Sequence, residues 1–325
     1  MMSRVSVRDA RPSAERSERV TALPDGGRVL VTGATGFVGR TLTGLLADRG
    51  YEVLGMGSAP LEQSAGMEHL SSYRSSDLAD EIVPFTDVHA VVHLAGLAQV
   101  GRSFDEPQRY ISSNSAMFTN LCEPLLAAVS AARIIVVSSG AVYSGSTAAP
   151  IDEGSPIAFS SPYAVSKVLV ENQAAYYRAR GLDTVVARPL NHIGPGQSRG
   201  YIVPDLAARL ADREAGVPMR VGNLDARRDY TDVRDVAEAY LKLLVAEPLQ
   251  HDTYNVASGT ARSGWEVLDV LADAMGIPSP EVDMVRDRAI DPSSVVGDAS
   301  RLRNETGWAP RRPFEESIRD FLRSS

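Results

Sequence analysis

Two residues four apart, Tyr163 and Lys167 in the segment SPYAVSK, could move a proton together. On a helix they share one face. A free phenol ionises at about pH 10 and is a poor acid–base at neutrality. A nearby ammonium favours the phenolate and is expected to lower that pKa. Lysine is scarce in this chain: of 33 basic residues only Lys167 and Lys242 are lysines, which leaves 31 arginines. A compact ammonium can sit under both a phenol and a ribose hydroxyl, a place a planar guanidinium does not easily take. Ser139 closes the run RIIVVSS and can hydrogen-bond a substrate oxygen. Upstream, TGATGFVG spaces Gly33, Gly36 and Gly39 three apart. Glycines so placed let the backbone turn tightly, approach a pyrophosphate and pack a helix on a sheet. Alone, a Tyr–Lys pair is most often a surface coincidence and three glycines are ordinary turn chemistry. Together, in this order, they point to a dinucleotide loop followed by an acid–base set of Ser139, Tyr163 and Lys167.

These residues need elements to carry them. Short β-branched runs (RVLVT from Arg28, EVLGM from Glu52, AVVHL from Ala90, RIIVVSS from Arg133, TVVARP from Thr184) alternate with helical stretches at 36–49, 107–132 and 162–180. Pro124 is expected to kink or restart the second helix. Continuous apolar strands alternating with helices predict an α/β fold, a Rossmann-type doubly wound parallel sheet. After Pro189 the rhythm changes to a Gly/Pro-rich loop and four helical stretches, which read as a smaller mixed α/β lobe. The expected organisation is a disordered tail over 1–26, a dinucleotide-binding domain over 27–190 and a substrate lobe over 191–325. The sheet can also receive a strand from that last part. The second strand ends in Gly57 and Ser58, where an NAD site would place a carboxylate for the ribose 2′-hydroxyl. NADP is therefore expected in preference to NAD.

Composition excludes several classes. The 325 residues are 44% hydrophobic and 23% charged, too apolar for a disordered chain, and no apolar run approaches a membrane span. A net charge of −8 argues against nucleic-acid or membrane partners, so an anionic ligand must be met by a local arginine cluster. Cys122 is the single cysteine and no cluster has metal spacing, which points to a reducing, cytoplasmic setting and no metal site. Trp265 and Trp308 read as core anchors of the small lobe.

TGATGFVG, HLAG (93–96), SSGAVYS (138–144), YAVSK and RPLNHIGPGQ, in that order, resemble the extended short-chain dehydrogenase/reductase family, whose members rework nucleotide-diphosphate sugars. The likeness runs from about Arg28 to the C-terminus, through RRDYTDVRDVAEAY, YNVASGTARS and VVGDASRLRNETGW. It implies that Gly33, Gly36, Phe37, Val38 and Gly39 cradle the pyrophosphate, with Thr35 and Ser58 also at the cofactor. Asp77 and Leu78 would contact adenine, and Leu94, Ala95 and Gly96 would line the ribose and nicotinamide. Tyr163 would be the acid–base, Lys167 its partner and ribose ligand, and Ser139 the helper on the sugar oxygen. Asn191 and His192 would border nicotinamide and sugar, while Arg228 and Arg288 would hold the substrate diphosphate.

Within the family, 4,6-dehydratases carry acidic residues just after the strand-end Ser/Thr, and this chain has Gly140 and Ala141 there. A 4-epimerase or a 4-keto reductase needs only the Ser/Tyr/Lys set. The downstream motifs look most like reductases of GDP-4-keto-6-deoxy-D-mannose, which give GDP-D-rhamnose, although those often have acidic residues where Gly140 and Ala141 stand. The expectation is NAD(P)H-dependent reduction of a nucleotide-sugar 4-ketone. The alternatives are a 4-epimerase with tightly bound NAD, a dehydratase, or a non-catalytic dinucleotide-binding regulator. The helices around 107–122 and 162–180 resemble a pair that forms a homodimer interface in relatives.

Overall fold

The computed structural model describes residues 23–61, 66–144, 150–214, 216–285 and 294–324. Its first strands are β1 (Arg28–Thr32), β2 (Glu52–Gly57), β3 (Ser72–Ser75), β4 (Ala90–His93), β5 (Arg133–Val137) and β6 (Asp183–Pro189). They are followed by β7 (Asn191–Ile193), β8 (Met219–Val221), β9 (Arg227–Asp232), β10 (Thr253–Val256), β11 (Ala261–Ser263), β12 (Val282–Met284) and β13 (Ser294–Val295). The helices are α1 (Phe37–Asp48), α2 (Val100–Ser103), α3 (Pro107–Ala127), α4 (Pro162–Ala179), α5 (Ile202–Ala211), α6 (Val233–Val245), α7 (Gly264–Ala274), α8 (Ser300–Thr306) and α9 (Phe314–Arg323).

Seven parallel strands make the central sheet in the order β10-β6-β5-β4-β1-β2-β3. Pleating sends alternate side chains to opposite faces. In β1, Val29 and Val31 enter a core with α1 and α6, whereas Leu30 enters one with α3 and α4. Each such buried aliphatic side chain contributes roughly 1.5–3 kcal/mol. β10 and α6 both come from the chain beyond Pro189, so the doubly wound unit is completed only by residues of the later part. Leu23 is already buried in the first core, so packing begins inside the expected tail. β3 had no sequence expectation, since its four residues, SYRS, are polar or half-exposed.

Pro124 does not restart the helix. α3 runs through it and ends at Ala127. The carbonyl that proline cannot serve, that of Asn120, instead accepts Val83 N–H at 3.1 Å. Cys122 is fully buried among the α3 core residues, and burial pushes its thiol up. Arg133 is buried with Asp183 at 2.8 Å, and its guanidinium also serves the carbonyls of Leu243 and Ala246 at the end of α6.

The later part forms a third core from α5, α7, α9, β8 and β9. Trp265 borders that core, but Trp308 does not: it packs with α6 in the sheet's core and donates to Asp235 O at 2.9 Å. Asp229 of β9 ties the smaller sheet to the segment that leaves β10 of the central sheet. Its buried carboxylate accepts N–H groups from Ser258, Gly259 and Gly297. Among the described residues, no helix is long and apolar enough to cross a membrane.

Candidate active site

The strand order reverses between β1 and β4, so the loops leaving their carboxyl ends part and open a crevice. Gly33 turns at φ +72°, and a Cβ there would lie 2.8 Å from the Ala95 nitrogen in the opposite loop. Gly39 packs α1 directly on the glycine loop, since a Cβ would stand 2.6 Å from the Ala34 carbonyl oxygen. No side chain caps α1 and its first turn holds no acid. Its leading N–H groups, at Phe37, Val38 and Gly39, and its positive end are thus left for an anion.

A cleft of about 320 Å³ extends from this loop. It brings together Gly33, Thr35, Gly36, Ser58, Asp77, Leu78, Leu94, Ala95 and Gly96, all expected at the cofactor. Gly57 and Ser58 line the cleft at the end of β2, so uncharged groups stand where a carboxylate would face a 2′-phosphate. Its lining joins the glycine loop to the ends of β2 and β4, which fits a dinucleotide. It also takes in Arg109, Ser113 and Met117, which the sequence reading missed. They lie four apart on α3, so one helix face carries them, but their residue types announce nothing before α3 is docked against the crevice.

Ser139, Tyr163 and Lys167 come together beside the cleft. α4 is started by the Ser161 side chain, which accepts Ala164 N–H, with Pro162 in its first turn. Tyr163 and Lys167 face inward and are buried. The Tyr163 hydroxyl hydrogen-bonds Ser139, whose Oγ also accepts Ala141 N–H at 3.1 Å. Lys167 Nζ lies 5.9 Å from the Tyr163 ring centre and donates to Val137 O at 2.9 Å. It also borders the cleft, 3.6 Å from where a Cβ on Gly96 would lie.

The expectation that Lys167 depresses the Tyr163 pKa is overturned. Burial dominates and pushes the phenol up to about 12, with the Ser139 hydrogen bond opposing. The lysine's proton is directed at a backbone carbonyl, not at the phenolic oxygen. Burial likewise pushes Lys167 down to about 8. The pair is therefore a protonated phenol, suited to giving a proton, above a compact ammonium.

His192 stacks on Phe37, ring centres 5.8 Å apart and planes at 11°, and so links β7 to the start of α1. Its Nδ1 is 3.1 Å from Leu190 O. A carbonyl only accepts, so Nδ1 carries the proton and Nε2 is left as an acceptor. Burial lowers the His192 pKa and keeps the ring neutral. Asn191 pairs with Tyr230 in the β7–β9 register. Arg228, on β9, donates to Arg227 O at 2.8 Å. Arg288 lies outside the described residues. At position 140, a Cβ would stand 2.9 Å from Leu190 Cγ, so the turn after Ser139 has no room for a carboxylate side chain without moving Leu190.

The family model described as NAD dependent epimerase/dehydratase family matches residues 29–257. A GDP-6-deoxy-D-mannose reductase from Pseudomonas aeruginosa is 33% identical, across 91% of this chain and 96% of the relative. The structure of RMD from Pseudomonas aeruginosa complexed with NADPH superposes with a TM-score of 0.77 at 32% identity, covering 92% of this chain and 98% of that one. The Thermus thermophilus UDP-glucose 4-epimerase in complex with NAD gives a TM-score of 0.79 at 27% identity, covering 91% and 98%. A glycine-cradled cleft, a Ser–Tyr–Lys cluster at its edge and these matches over most of the chain lead to one assignment: the chain belongs to the NAD dependent epimerase/dehydratase family.

Proposed function

We propose that this enzyme reduces the 4-keto group of a nucleotide-diphosphate 4-keto-6-deoxyhexose, as a GDP-4-keto-6-deoxy-D-mannose reductase giving GDP-D-rhamnose, with NADPH preferred over NADH. The observation that carries the reading is the buried, protonated Tyr163 hydroxyl against Ser139, beside a turn that holds Gly140 against Leu190 and carries no carboxylate. The 33% identity to a GDP-6-deoxy-D-mannose reductase supports the sugar. Ser58 in place of a carboxylate supports NADPH.

The loop 33–39 holds the pyrophosphate, Asp77 and Leu78 the adenine, Leu94 to Gly96 the ribose and nicotinamide, and Thr35 and Ser58 the adenosine ribose. What the dinucleotide supplies when bound is a hydride for the C4 carbonyl. Ser139 donates a hydrogen bond to the ketone oxygen and orients it. Tyr163 gives its proton to that oxygen as negative charge develops there. Lys167 steadies the phenolate left behind and binds a ribose hydroxyl. Asn191 and His192 border the sugar, and Arg228 and Arg288 take the diphosphate as charge-assisted donors.

The second reading is a nucleotide-sugar 4-epimerase with tightly held NAD, favoured by the match to the epimerase–NAD complex. The test supplies purified protein with GDP-4-keto-6-deoxy-D-mannose generated in place and follows NADPH and NADH. Fast NADPH oxidation that Tyr163→Phe lacks is the expected result. No oxidation, with cofactor retained through purification, would turn the assignment to the epimerase. We further propose a cytoplasmic homodimer paired through α3 and α4, where Leu169 and Tyr176 are exposed. A monomeric mass in light scattering at micromolar concentration would refute the dimer.

A further inference from the structure

Three consecutive residues at the end of β5 are each held by a different turn of α4. Val137 O accepts from Lys167 at 2.9 Å, Ser138 Oγ donates to Glu171 Oε1 at 2.5 Å, and Ser139 hydrogen-bonds Tyr163. Tyr163, Lys167 and Glu171 are four apart, so one helix face presents all three. The third has no part in the acid–base set described above.

Glu171 is 11% exposed and is met bidentately by Arg188 of β6, Nε to Oε1 at 2.9 Å and Nη2 to Oε2 at 2.6 Å. Arg188 is anchored in turn. It donates to the Tyr143 hydroxyl at 3.0 Å and lies 5.0 Å from that ring's centre, and Tyr143 donates to Asn255 Oδ1 at 2.5 Å. Well-packed apolar residues could pin a helix to a sheet without the desolvation cost of a buried ion pair. They could not offer Ser138 an acceptor, nor place a negative charge one turn from Lys167.

We propose that Glu171, braced by Arg188, is a positioning residue of the acid–base site: through Ser138 it sets Ser139 in register with Tyr163, and it supplies the counter-charge for the buried ammonium of Lys167. This rests on the reading of Tyr163 and Lys167 as the acid–base pair. The groups facing the ammonium are the Val137 carbonyl from β5, His93 from β4, and Tyr163 and Glu171 from its own helix. Burial holds His93 neutral, at about 3, so Glu171 is the negative member of this set, and it opposes the burial that lowers Lys167.

The two lysines make the test direct. Isotope-labelled lysine gives two side-chain NMR signals, from Lys167 and Lys242, and each can be titrated in the free protein without substrate. Glu171→Gln is expected to move the Lys167 midpoint down by about one pH unit or more while Lys242 stays put. Arg188→Met should move the same midpoint upward, and it decides the matter if Glu171→Gln does not fold. Midpoints unchanged in the folded variants would overturn the counter-charge role. Ser138→Ala keeps the ion pair and should cut kcat on the order of tenfold with the cofactor KM unaltered. An unchanged kcat would overturn the register role. Tyr163→Phe is measured alongside. If it keeps full turnover the acid–base reading fails, while the lysine titration still reports on Glu171.

Discussion

Burying the Lys167 ammonium costs stability, and the size of that cost can be worked out. Burial holds its ammonium at about 8 against an ordinary 10.5. At about 1.4 kcal/mol per tenfold, that gap is worth about 3 kcal/mol. The folded value lies below the unfolded one, so the unfolded chain binds the proton more tightly. The penalty is whole below about pH 8 and lifts as pH climbs towards 10.5. Lys167→Met keeps an unbranched stem of similar length and abolishes the titration. At neutral pH the variant regains about 3 kcal/mol and gives back roughly 1–3 kcal/mol because Val137 O loses its donor. It should therefore be about as stable as the natural protein, or more so, while losing activity. Urea unfolding of both proteins from about pH 7 to 10 isolates the effect, because every other titration cancels in the difference. Stability of the natural protein relative to the variant should rise by about 2–3 kcal/mol across that range. Parallel profiles, differing by a constant within roughly 0.5 kcal/mol, would show that the ammonium is not desolvated and would refute the argument.

Gly39→Ala places a methyl 2.6 Å from the Ala34 carbonyl oxygen and should abolish NADPH binding in fluorescence titration; binding within about twofold of the natural protein would refute the close packing of α1 on the loop. Ser58→Asp should turn the preference towards NADH by at least about tenfold in the ratio of Kd values, because a carboxylate repels a 2′-phosphate and accepts from a 2′-hydroxyl. Gly140→Asp should not create a dehydratase. With Leu190 Cγ 2.9 Å from the new Cβ, it should instead destabilise the fold by roughly 1–3 kcal/mol, read as a lower Tm; a well-folded variant that expels water from a 4,6-dehydratase substrate would overturn the steric account.

The doubly wound sheet was legible because its strands are buried on both faces and read as continuous apolar runs, and because glycine spacing at 33–39 is a local property of backbone turns. Tyr163 and Lys167 were legible for the same reason: one helix face is a matter of period alone. At three places a distant partner decided the outcome. Pro124 sits inside α3 because Val83 serves the carbonyl it strands. Trp308 belongs to the sheet's core because α6 returns from the later part of the chain to cover it. Tyr163 is held as a phenol because burial outweighs an ammonium aimed elsewhere.

Residue order by itself determined the fold class, the glycine spacing at 33–39 and the shared helix face of Tyr163 and Lys167, all written in short-range spacing. Only the tertiary structure decided the protonation of that pair, the face of α3 that lines the cleft, and the bond from Ser138 to a Glu171 held by Arg188. Those depend on how much water is excluded and on which carbonyl or carboxylate lies within hydrogen-bond reach, quantities fixed by contacts between residues far apart in the chain.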